Sequence, residues 1–386
     1  MSVNPWHWNA GFAVGAPLVV CLILLALFSR AAHGQAMANA VQVSQADVRT
    51  VFFDYWEDPA GTTDLPAVVS LPEAQWQRVP GGSDTFGITS SVYWLRTMVR
   101  SEASQPVNLI AELAYSQLDH VVFHVLDDGK LQATYETGDT LPFYPRQIDH
   151  PNMLLAFDLA PGQTRTLYIR VETAGSMILP LKLWHEPAFF SAAANEQKFH
   201  FFYYGALCVI ILINLAVFLT LRERLYLYYA LAVSGYLLFF ASIKGYSFQL
   251  LYPDWPELHA RALLVSMPIL ALFSVLFCRA LLRTAVNSPR LDMAMRAMVA
   301  FEIVNFMAAL TLSYNAAITL SSISALVFFS LLFVAGPVTW AKGVRAGAFF
   351  TIAWTPLTIG VLATAGRALG FFPENFLTEN AMQIGS

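Results

Sequence analysis

The stretch LAFDLAPGQTRTLYIRVET (residues 155–173) alternates apolar and polar residues on both sides of a central Ala-Pro-Gly-Gln. Successive side chains of a β-strand point to opposite faces, so this alternation predicts two strands that each bury one face. Pro161 and Gly162 supply the backbone geometry of a tight turn. The stretch therefore predicts a β-hairpin.

Short runs of the same kind recur along the preceding hundred residues and are separated by turn residues. β-Branched and aromatic residues dominate these runs, and no amphipathic helix interrupts them. Many short strands of this kind are typical of an antiparallel β-sandwich. The strand runs are SVYWLRTMVR (91–100), NLIAEL (108–113), HVVFHVLD (120–127) and RTLYIRVE (165–172), and the turn signals are PGGSD (80–84), DDGK (127–130) and APGQ (160–163).

The composition divides the chain into two domains. Hydrophobic residues make up 56% of it and charged residues only 12%, whereas soluble domains carry about a quarter charged residues, so a membrane protein is indicated. Residues 41–198 hold 19 acidic against 10 basic residues, and residues 199–386 hold 7 against 11. We therefore expect a polar domain at 41–198 and a membrane domain at 199–386. The polar domain is acidic and has no basic stripe, which excludes nucleic-acid binding.

The N-terminal segment 1–40 predicts a signal peptide or an anchor helix. The apolar run GFAVGAPLVVCLILLALF (11–28) precedes small residues that suit cleavage after Ala38 or Ala40. No Lys or Arg precedes the run, so an uncleaved anchor is the alternative. The cysteines Cys21, Cys208 and Cys278 all lie in apolar stretches, so we expect no disulfide within the polar domain.

Six apolar segments approach the length that spans a bilayer. With the polar domain outside, eight Lys and Arg residues lie in or beside the inner loops and three lie outside, which follows the positive-inside rule. This predicts a multi-pass membrane protein with residues 41–198 exported, which in a bacterium means the inner membrane and the periplasm. The predicted spans are 201–221, 226–244, 262–282, 297–314, 317–340 and 348–366.

The loop GDTLPFYPRQIDHP (138–151) is the first candidate site. Its three prolines cannot donate hydrogen bonds to a sheet, so it lies between strands. One interpretation is that Phe143, Tyr144 and Arg146 form a platform of planar groups that stacks on a ligand such as a sugar. The alternative is that Phe143 closes the end of the sandwich and Arg146 pairs with Asp139 or Asp149.

A second candidate is the pair Trp94 and Arg96, which lie two residues apart on one strand face. One interpretation is a cation–π surface in a binding groove, and the more common alternative is that Trp94 covers the edge of the core. Asp119, His120 and His124 raise the question of a metal. The two histidines are about 13 Å apart along an extended strand, which is too far for one ion, so no metal and no cofactor is expected. No catalytic motif occurs in the polar domain, so an enzyme is not expected.

One carboxylate and two asparagines inside the predicted spans are further candidates. Glu302 and Asn305 are one turn apart in the fourth span, and Asn214 lies in the first. Intramembrane carboxylates are functional candidates, either in a proton path or in hydrogen bonds between helices. A single such group favours hydrogen bonding between helices.

Taken together, these motifs resemble the bacterial seven-transmembrane receptors with diverse intracellular signalling modules, with an extracellular domain of the second type. The resemblance covers about residues 50 to 386 and rests on the order and spacing of the motifs. They are Tyr93-Trp94-Leu95-Arg96, Leu118-Asp119, Gly138-Asp139 with Pro142, Phe143 and Arg146, Tyr168-Ile169-Arg170, Pro180 to Trp184, Tyr203-Tyr204-Gly205 with Asn214, and TENAMQIGS (378–386).

The resemblance implies a jelly-roll-like sandwich similar to carbohydrate-binding modules, followed by a bundle of six complete helices and the start of a seventh. It implies that the sandwich binds a small molecule, with a carbohydrate as the expected class, and that the bundle relays binding to a cytoplasmic module. Family members carry histidine kinase, diguanylate cyclase or phosphatase modules there, and none is assigned to this chain. Ligand-binding residues are expected among Trp94, Arg96, Asp119, Asp139, Phe143 and Arg146.

Three other interpretations remain open at this stage. The chain can be a transporter or channel subunit, a membrane-bound binding protein without its own output, or a membrane enzyme. Receptors of this plan often signal as homodimers, although no coiled-coil heptad occurs. The sequence is expected to be a fragment that ends before the seventh helix is complete.

Overall fold

The computed structural model describes residues 41–43, 49–50, 53–79, 84–368 and 376–386. The predicted signal peptide or anchor at 1–40 lies outside the described residues. Within them, a β domain precedes a bundle of long apolar helices. The first long helix begins at Glu186, directly after the last strand and before the boundary that the charge distribution predicts at residue 198.

The β domain consists of two facing sheets and a separate strand pair. In the larger sheet the strand order is β4-β3-β6-β11-β8-β9, with β1 parallel to β6, and in the smaller sheet it is β10-β7-β13-β2. All other pairs are antiparallel, and β5 pairs with β12. The strands are β1 (Val41–Val43), β2 (Arg49–Thr50), β3 (Asp54–Asp58), β4 (Gln77–Arg78), β5 (Thr85–Ile88), β6 (Val92–Ser101), β7 (Val107–Leu113), β8 (His120–Asp127), β9 (Lys130–Thr137), β10 (Met153–Leu159), β11 (Thr164–Glu172), β12 (Ser176–Ile178) and β13 (Leu181–His185).

Alternate residues of both sheets fill one core, as the period of two predicts. Leu95, Phe123 and Ile169 of the larger sheet pack against Leu113 and Met153 of the smaller one, and none of the five exposes surface to solvent. A fully buried side chain of this size stabilises the fold by about 1.5–3 kcal/mol. The predicted antiparallel sandwich is therefore present.

The predicted hairpin at 155–173 is wrong in its pairing, although both strands exist. β10 pairs with β7 in the smaller sheet, whereas β11 pairs with β6 and β8 in the larger one. The turn between them, where Gln163 N donates to Ala160 O at 3.0 Å, carries the chain across the edge of the sandwich. Periodicity shows which face a strand buries, but it does not identify the strand's neighbour.

A short helix, α1 (Leu65–Val69), covers the outer face of the larger sheet. Asp64 caps it by accepting a hydrogen bond from Ala67 N at 3.1 Å. Val68 then packs against Trp94 and Tyr168 in a second, smaller apolar cluster. This outer face is thus closed over part of its area.

Six helices among the described residues are long and apolar enough to cross a membrane. They overlap the six predicted spans. Short helices connect them or follow them. The long helices are α2 (Glu186–Leu221), α3 (Arg224–Ile243), α5 (Pro256–Leu282), α7 (Pro289–Thr311), α8 (Tyr314–Ala341) and α9 (Arg345–Ala368), and the short ones are α4 (Tyr246–Leu251), α6 (Thr284–Asn287), α10 (Phe376–Glu379) and α11 (Ala381–Gly385).

The residues of α11, which the sequence predicts as a helix entry, pack tightly on α9. A Cβ added at Gly360 would lie 2.4 Å from Ala381 O, which no real Cβ tolerates. Only glycine permits this approach of the two backbones, as at other close helix crossings in membranes. The segment Asn380–Ser386, called the C-terminal segment below, is therefore held inside the bundle.

Candidate functional site

The loop 138–151, called the docking loop below, contacts the membrane domain. Phe143 N donates to Pro253 O at 2.8 Å, and the Phe143 ring meets the Phe248 ring edge to face with centroids 5.6 Å apart. Phe143 has no exposed surface and Phe248 has 2%. The loop is thus an interface between the sandwich and the segment that joins α3 to α5.

Arg146 holds the docking loop in shape. Its guanidinium lies 4.3 Å from the centroid of the Phe143 ring and donates to Gly138 O at 3.1 Å and Pro151 O at 2.9 Å, and also to His150 O. Burial lowers the pKa of Arg146 to about 10, while neighbouring acids oppose this change. The three carbonyls fix the loop independently of any carboxylate, so the predicted pairing with Asp139 or Asp149 is not what anchors Arg146.

Three side-chain hydrogen bonds fasten the sandwich to the end of α3 and to α4. Gln249 Nε2 donates to Asp149 Oδ1 at 2.7 Å. Ser116 Oγ donates to Ile243 O at 3.0 Å, and Gln117 Nε2 donates to Ser242 O at 3.0 Å. Each pairs a group of one domain with a group of the other. The interface is thus specific as well as apolar.

Gly245, between α3 and α4, permits this close approach. Its φ of +75° is a conformation that other residues adopt at a cost, and a Cβ there would lie 2.9 Å from Pro151 Cβ. Any larger residue would push the docking loop away. The turn after α3 is therefore adapted to the sandwich.

A pair of titratable groups also faces across the interface. Asp139 Oδ2 lies 4.0 Å from His259 Nε2 of α5. Burial raises the pKa of Asp139 to about 8, and the charge of Asp119 adds to this effect. Asp119 itself accepts hydrogen bonds from Ala174 N and Thr173, yet burial still raises its pKa. Two carboxyl groups with raised pKa values thus stand beside the joint.

The same interface contains polar atoms without partners. Among the described residues, Arg146 Nε, Gln249 Oε1, Tyr252 OH and His259 Nδ1 are buried and make no hydrogen bond. A buried unpaired polar group costs about 1–3 kcal/mol. These four desolvated polar atoms therefore lie at the interface, where a change in packing would alter their hydrogen bonding.

Beside the docking loop, a cavity of about 290 Å³ opens between the sandwich and the bundle, and it is called the interdomain cavity below. Its walls belong to the smaller sheet, to α2 and α3, and to the C-terminal segment. The lining residues are Glu112, Ala114, Tyr115, Ser116, His150, Pro151, Asn152, Lys182, Trp184, Phe189, Ala192, Ala193, Glu196, Phe239, Phe240, Ile243, Lys244, Tyr246, Thr364 and Met382.

Glu112 is the buried acid of this cavity. Its side chain accepts hydrogen bonds from Asn152 Nδ2 and Trp184 Nε1, both at 2.7 Å. Burial raises the pKa of Glu112 in spite of these bonds and of nearby Lys182. His150, on the docking loop, has its pKa lowered by burial to about 4 and is neutral at physiological pH. The cavity thus combines a desolvated carboxyl with aromatic rings.

A chain of side chains leads from the cavity to the C-terminal segment. The side chain of His200 is fully buried. Its Nε2 atom lies 3.4 Å from Glu196 Oε1, and its Nδ1 atom lies 3.3 Å from Gln383 Nε2. The His200 ring thus lies between the Glu196 carboxylate and the Gln383 amide. Tyr236 OH donates to Met382 O at 3.1 Å, and Tyr203 OH bonds Ser386.

The six predicted ligand residues fall into two groups. Asp119, Asp139, Phe143 and Arg146 meet at the docking interface, whereas Trp94 and Arg96 lie on the outer face of the larger sheet. Trp94 is 1% exposed and stacks on His124 at 5.8 Å. Arg96 lies 4.5 Å from the Trp76 ring centroid, so the predicted stacking involves a different tryptophan. None of the six lines the interdomain cavity, and their role in ligand binding stays a prediction.

The predicted intramembrane residues form hydrogen bonds. Glu302 bonds Ser324, and Asn305 bonds Ser321 at 3.1 Å and Glu302 at 3.2 Å, which joins α7 to α8. Asn214 donates to Ile210 O of its own helix at 2.8 Å. Among the residues that the structure describes, no cluster of three or more His, Cys, Asp or Glu residues is arranged to hold a metal ion.

Sequence reasoning missed Glu112, Glu196, His200 and Gln383. A signal exists for Glu112, because it is the one charged residue in the apolar strand run NLIAEL. A carboxylate in such a run is buried or paired. The other three are separated by up to 187 residues of sequence (196 to 383), and only the folded chain brings them together.

Comparison with known families agrees with this architecture. Residues 50–185 match the model described as 7TMR-DISM extracellular 2, and residues 196–386 match the model described as 7TM diverse intracellular signalling. None of the curated proteins matches the chain. The two matches are consecutive and cover the sandwich and the helical bundle. The chain therefore belongs to the 7TMR-DISM family of seven-transmembrane receptors with diverse intracellular signalling.

Proposed function

We propose that this chain is the sensing and membrane part of a signal receptor. The exported sandwich binds a small molecule, a carbohydrate by our expectation, and the bundle relays binding to a cytoplasmic signalling module or partner. The observation that supports this best is the docking interface, where Phe143 of the sandwich and Phe248 of the bundle are both buried. A change of the sandwich therefore acts on the helices directly.

The proposed relay requires the interface to act as a switch. A relay needs two arrangements of similar free energy, and a ligand shifts the balance only by binding one of them more tightly. A ligand that binds one arrangement 100-fold more tightly than the other favours it by about 2.7 kcal/mol. Four buried polar atoms without partners lie at this interface, so a change in its packing would alter their hydrogen bonding.

The test uses the chain in lipid nanodiscs with spin labels on two inner loops. Cys21 and Cys208 are first changed to serine, and the labels replace Glu223 and the exposed Val286. Distances between the labels are measured by electron–electron double resonance with and without glucose, galactose, mannose and N-acetylglucosamine. We expect at least one sugar to shift the distance distribution.

Phe143→Ala serves as the uncoupled variant and Tyr144→Ala as its neighbour control, since Tyr144 is 49% exposed. The sugar-dependent shift is expected in Tyr144→Ala and not in Phe143→Ala. A shift of equal size in Phe143→Ala would exclude the docking loop as the route. If amino acids bind and none of the sugars does, the carbohydrate class of ligand is excluded and the receptor function stands.

A further inference from the structure

We propose that the interdomain cavity is a binding site for an uncharged polyhydroxylated molecule of monosaccharide size. The position of the C-terminal segment changes when this site is occupied. This inference rests on the receptor function proposed above and adds the place and the chemistry of the site. The cavity is also distinct from the six residues that the sequence singles out.

The size and the walls of the cavity fit a small molecule. Its volume of about 290 Å³ lies just below the range for small-molecule sites, about 300–1,000 Å³, so it suits a ligand of small size. Trp184 and His150 line it from the sandwich, and Phe240 and Tyr246 line it from the bundle. Aromatic rings on opposite walls present flat apolar surfaces to the C–H faces of a sugar ring.

The charges of the walls are balanced. The sandwich contributes Glu112 and Lys182, and the bundle side contributes Glu196 and Lys244, so each wall has one carboxyl and one ammonium group. An ion of either sign would be attracted by half of these groups and repelled by the other half. A hydroxyl group can donate to a carboxylate and accept from an ammonium, so an uncharged polyol is compatible with both kinds of wall group.

Glu112 has the capacity to take such a hydroxyl. Each of its oxygens accepts one hydrogen bond, from Asn152 and from Trp184, and a carboxylate accepts about four in all. The residue is 5% exposed, so its position is fixed by its surroundings. These two bonds orient the remaining lone pairs before any molecule enters, which lowers the cost of binding.

The cavity also contacts the C-terminal segment directly. Met382 forms part of its wall, and Glu196 is joined to Gln383 through the buried His200. A hydroxyl that bonds Glu196 draws its carboxylate toward the cavity and so changes the geometry of its contact with His200. The position of His200, and with it that of Gln383, therefore depends on whether the cavity is filled. Molecule and segment are coupled without any change in the rest of the bundle.

The first experiment fills the cavity by mutation. Ala192 lines the cavity, whereas Ala194, two residues further on the same helix, is exposed. Thermal unfolding of the wild type, Ala192→Phe and Ala194→Phe is followed in nanodiscs with the same four sugars at millimolar concentration. We expect a sugar to raise the Tm of the wild type and of Ala194→Phe by about 2–4 °C, and not that of Ala192→Phe.

The same hydroxyl chemistry is present in a free sugar and in the sugar headgroup of a membrane lipid. A second arm therefore compares nanodiscs with and without a galactosyl diacylglycerol. If that lipid stabilises the wild type over Ala192→Phe and free sugars do not, the site takes the headgroup. If Ala192→Phe responds to free sugar or lipid as the wild type does, the cavity is not the site, while the receptor function stands.

A separate experiment tests whether the C-terminal segment responds to a molecule in the cavity. A fluorophore replaces Ile384, which is 53% exposed, and the sugar-dependent change in its emission is compared between the wild type and His200→Phe. We expect His200→Phe to bind the sugar within about threefold of the wild type and to lose most of the emission change. An unchanged emission response in His200→Phe would show that His200 is not the link. No response to any probe in any variant would overturn both the cavity site and the ligand part of the receptor proposal.

Discussion

Two regions of the molecule use the same pair of groups, an arginine stacked on an aromatic ring, for different purposes. Arg96 lies 4.5 Å from the Trp76 ring on the outer face of the larger sheet, and Arg146 lies 4.3 Å from Phe143 at the docking interface. Arg96 donates to the carboxylates of Asp54 and Glu73, whereas Arg146 donates to backbone carbonyls. The two arginines therefore differ in the acceptors of their guanidinium groups, carboxylates for one and carbonyls for the other, and not in their stacking.

The pKa values of the two arginines shift in opposite directions for this reason. The hydrogen bonds that Arg96 donates to the Glu73 carboxylate raise the pKa of Arg96 and lower the pKa of Glu73. Burial lowers the pKa of Arg146 to about 10. The Arg96–Glu73 ion pair thus lies near solvent and holds the segment that contains Trp76 against the larger sheet. Arg146 is a desolvated cation at the interface between the two domains.

The largest effect is expected from Phe143→Ala, which removes the ring that both Arg146 and Phe248 contact. Truncating a fully buried Phe costs about 3–5 kcal/mol. We expect the sandwich to lose its fixed contact with the bundle, seen as separate unfolding transitions of the two domains by calorimetry. Tyr144→Ala is the matched control. A single unchanged transition in Phe143→Ala would mean that other contacts hold the domains together.

A smaller effect is expected from replacing each arginine by lysine, which keeps the charge and removes the fork of donors. Arg146→Lys leaves buried carbonyls without donors and should cost about 2–3 kcal/mol. Arg96→Lys keeps an ion pair with the exposed Glu73 and should cost about 1 kcal/mol or less. Denaturant unfolding of the full chain in detergent measures both. Equal losses would contradict the distinction drawn between the two regions.

This comparison also shows how far the sequence predicts the molecule. Period-two alternation correctly places strand residues such as Leu95 and Ile169 in the core, and apolar length places the six spans. Both follow from local patterns that each element carries by itself. The pairing of β10 with β7, and not with β11, depends on the whole sandwich and is not predictable from either strand.

For the candidate site, the sequence identifies the docking loop and not its partner. The residues Asp139, Phe143 and Arg146 stand out by their chemistry, and the structure brings them together. Their environment is set by Phe248 and His259, more than a hundred residues later. A ring that an isolated sandwich would expose is buried in the whole chain, because the bundle covers it. The cavity between the domains was not predictable for the same reason.

The next largest effect is expected in how the stability of the folded chain depends on pH. Asp139 is surrounded by Asp119, Arg146, His259 and Tyr314, and its pKa of about 8 in the folded chain exceeds the ordinary value of 3.8 for an aspartate. The folded chain therefore binds a proton that the unfolded chain releases, so stability falls as the pH rises towards 8. Between pH 6.5 and 8 we expect a loss of about 1–2 kcal/mol in the wild type.

Asp139→Asn removes this titration and should flatten the dependence in that interval. The interval avoids the titration of His150. Its pKa of about 4 in the folded chain lies below the ordinary value of 6.5 for a histidine, so it destabilises the folded chain only under acidic conditions. Unfolding curves at several pH values give the slope for both proteins. An identical slope in Asp139→Asn would assign the proton to another group, with Asp119 as the next to test.

The smallest effect is expected from Glu73→Gln on the outer face. The Glu73 side chain is 80% exposed and lies 2.7 Å from Arg96, so the pair should contribute about 0.5 kcal/mol. Glu102→Gln, at another exposed acid, makes the same change of charge and is the control. Salt screens exposed charges beyond about 3 Å at 1 M, so the loss should shrink at high salt. The loss in Arg146→Lys should not, because its acceptors are buried carbonyls. A loss in Glu73→Gln that equals the loss in Arg146→Lys and is insensitive to salt would contradict this distinction. Arg96 would then depend on the Glu73 carboxylate as strictly as Arg146 depends on its backbone carbonyls.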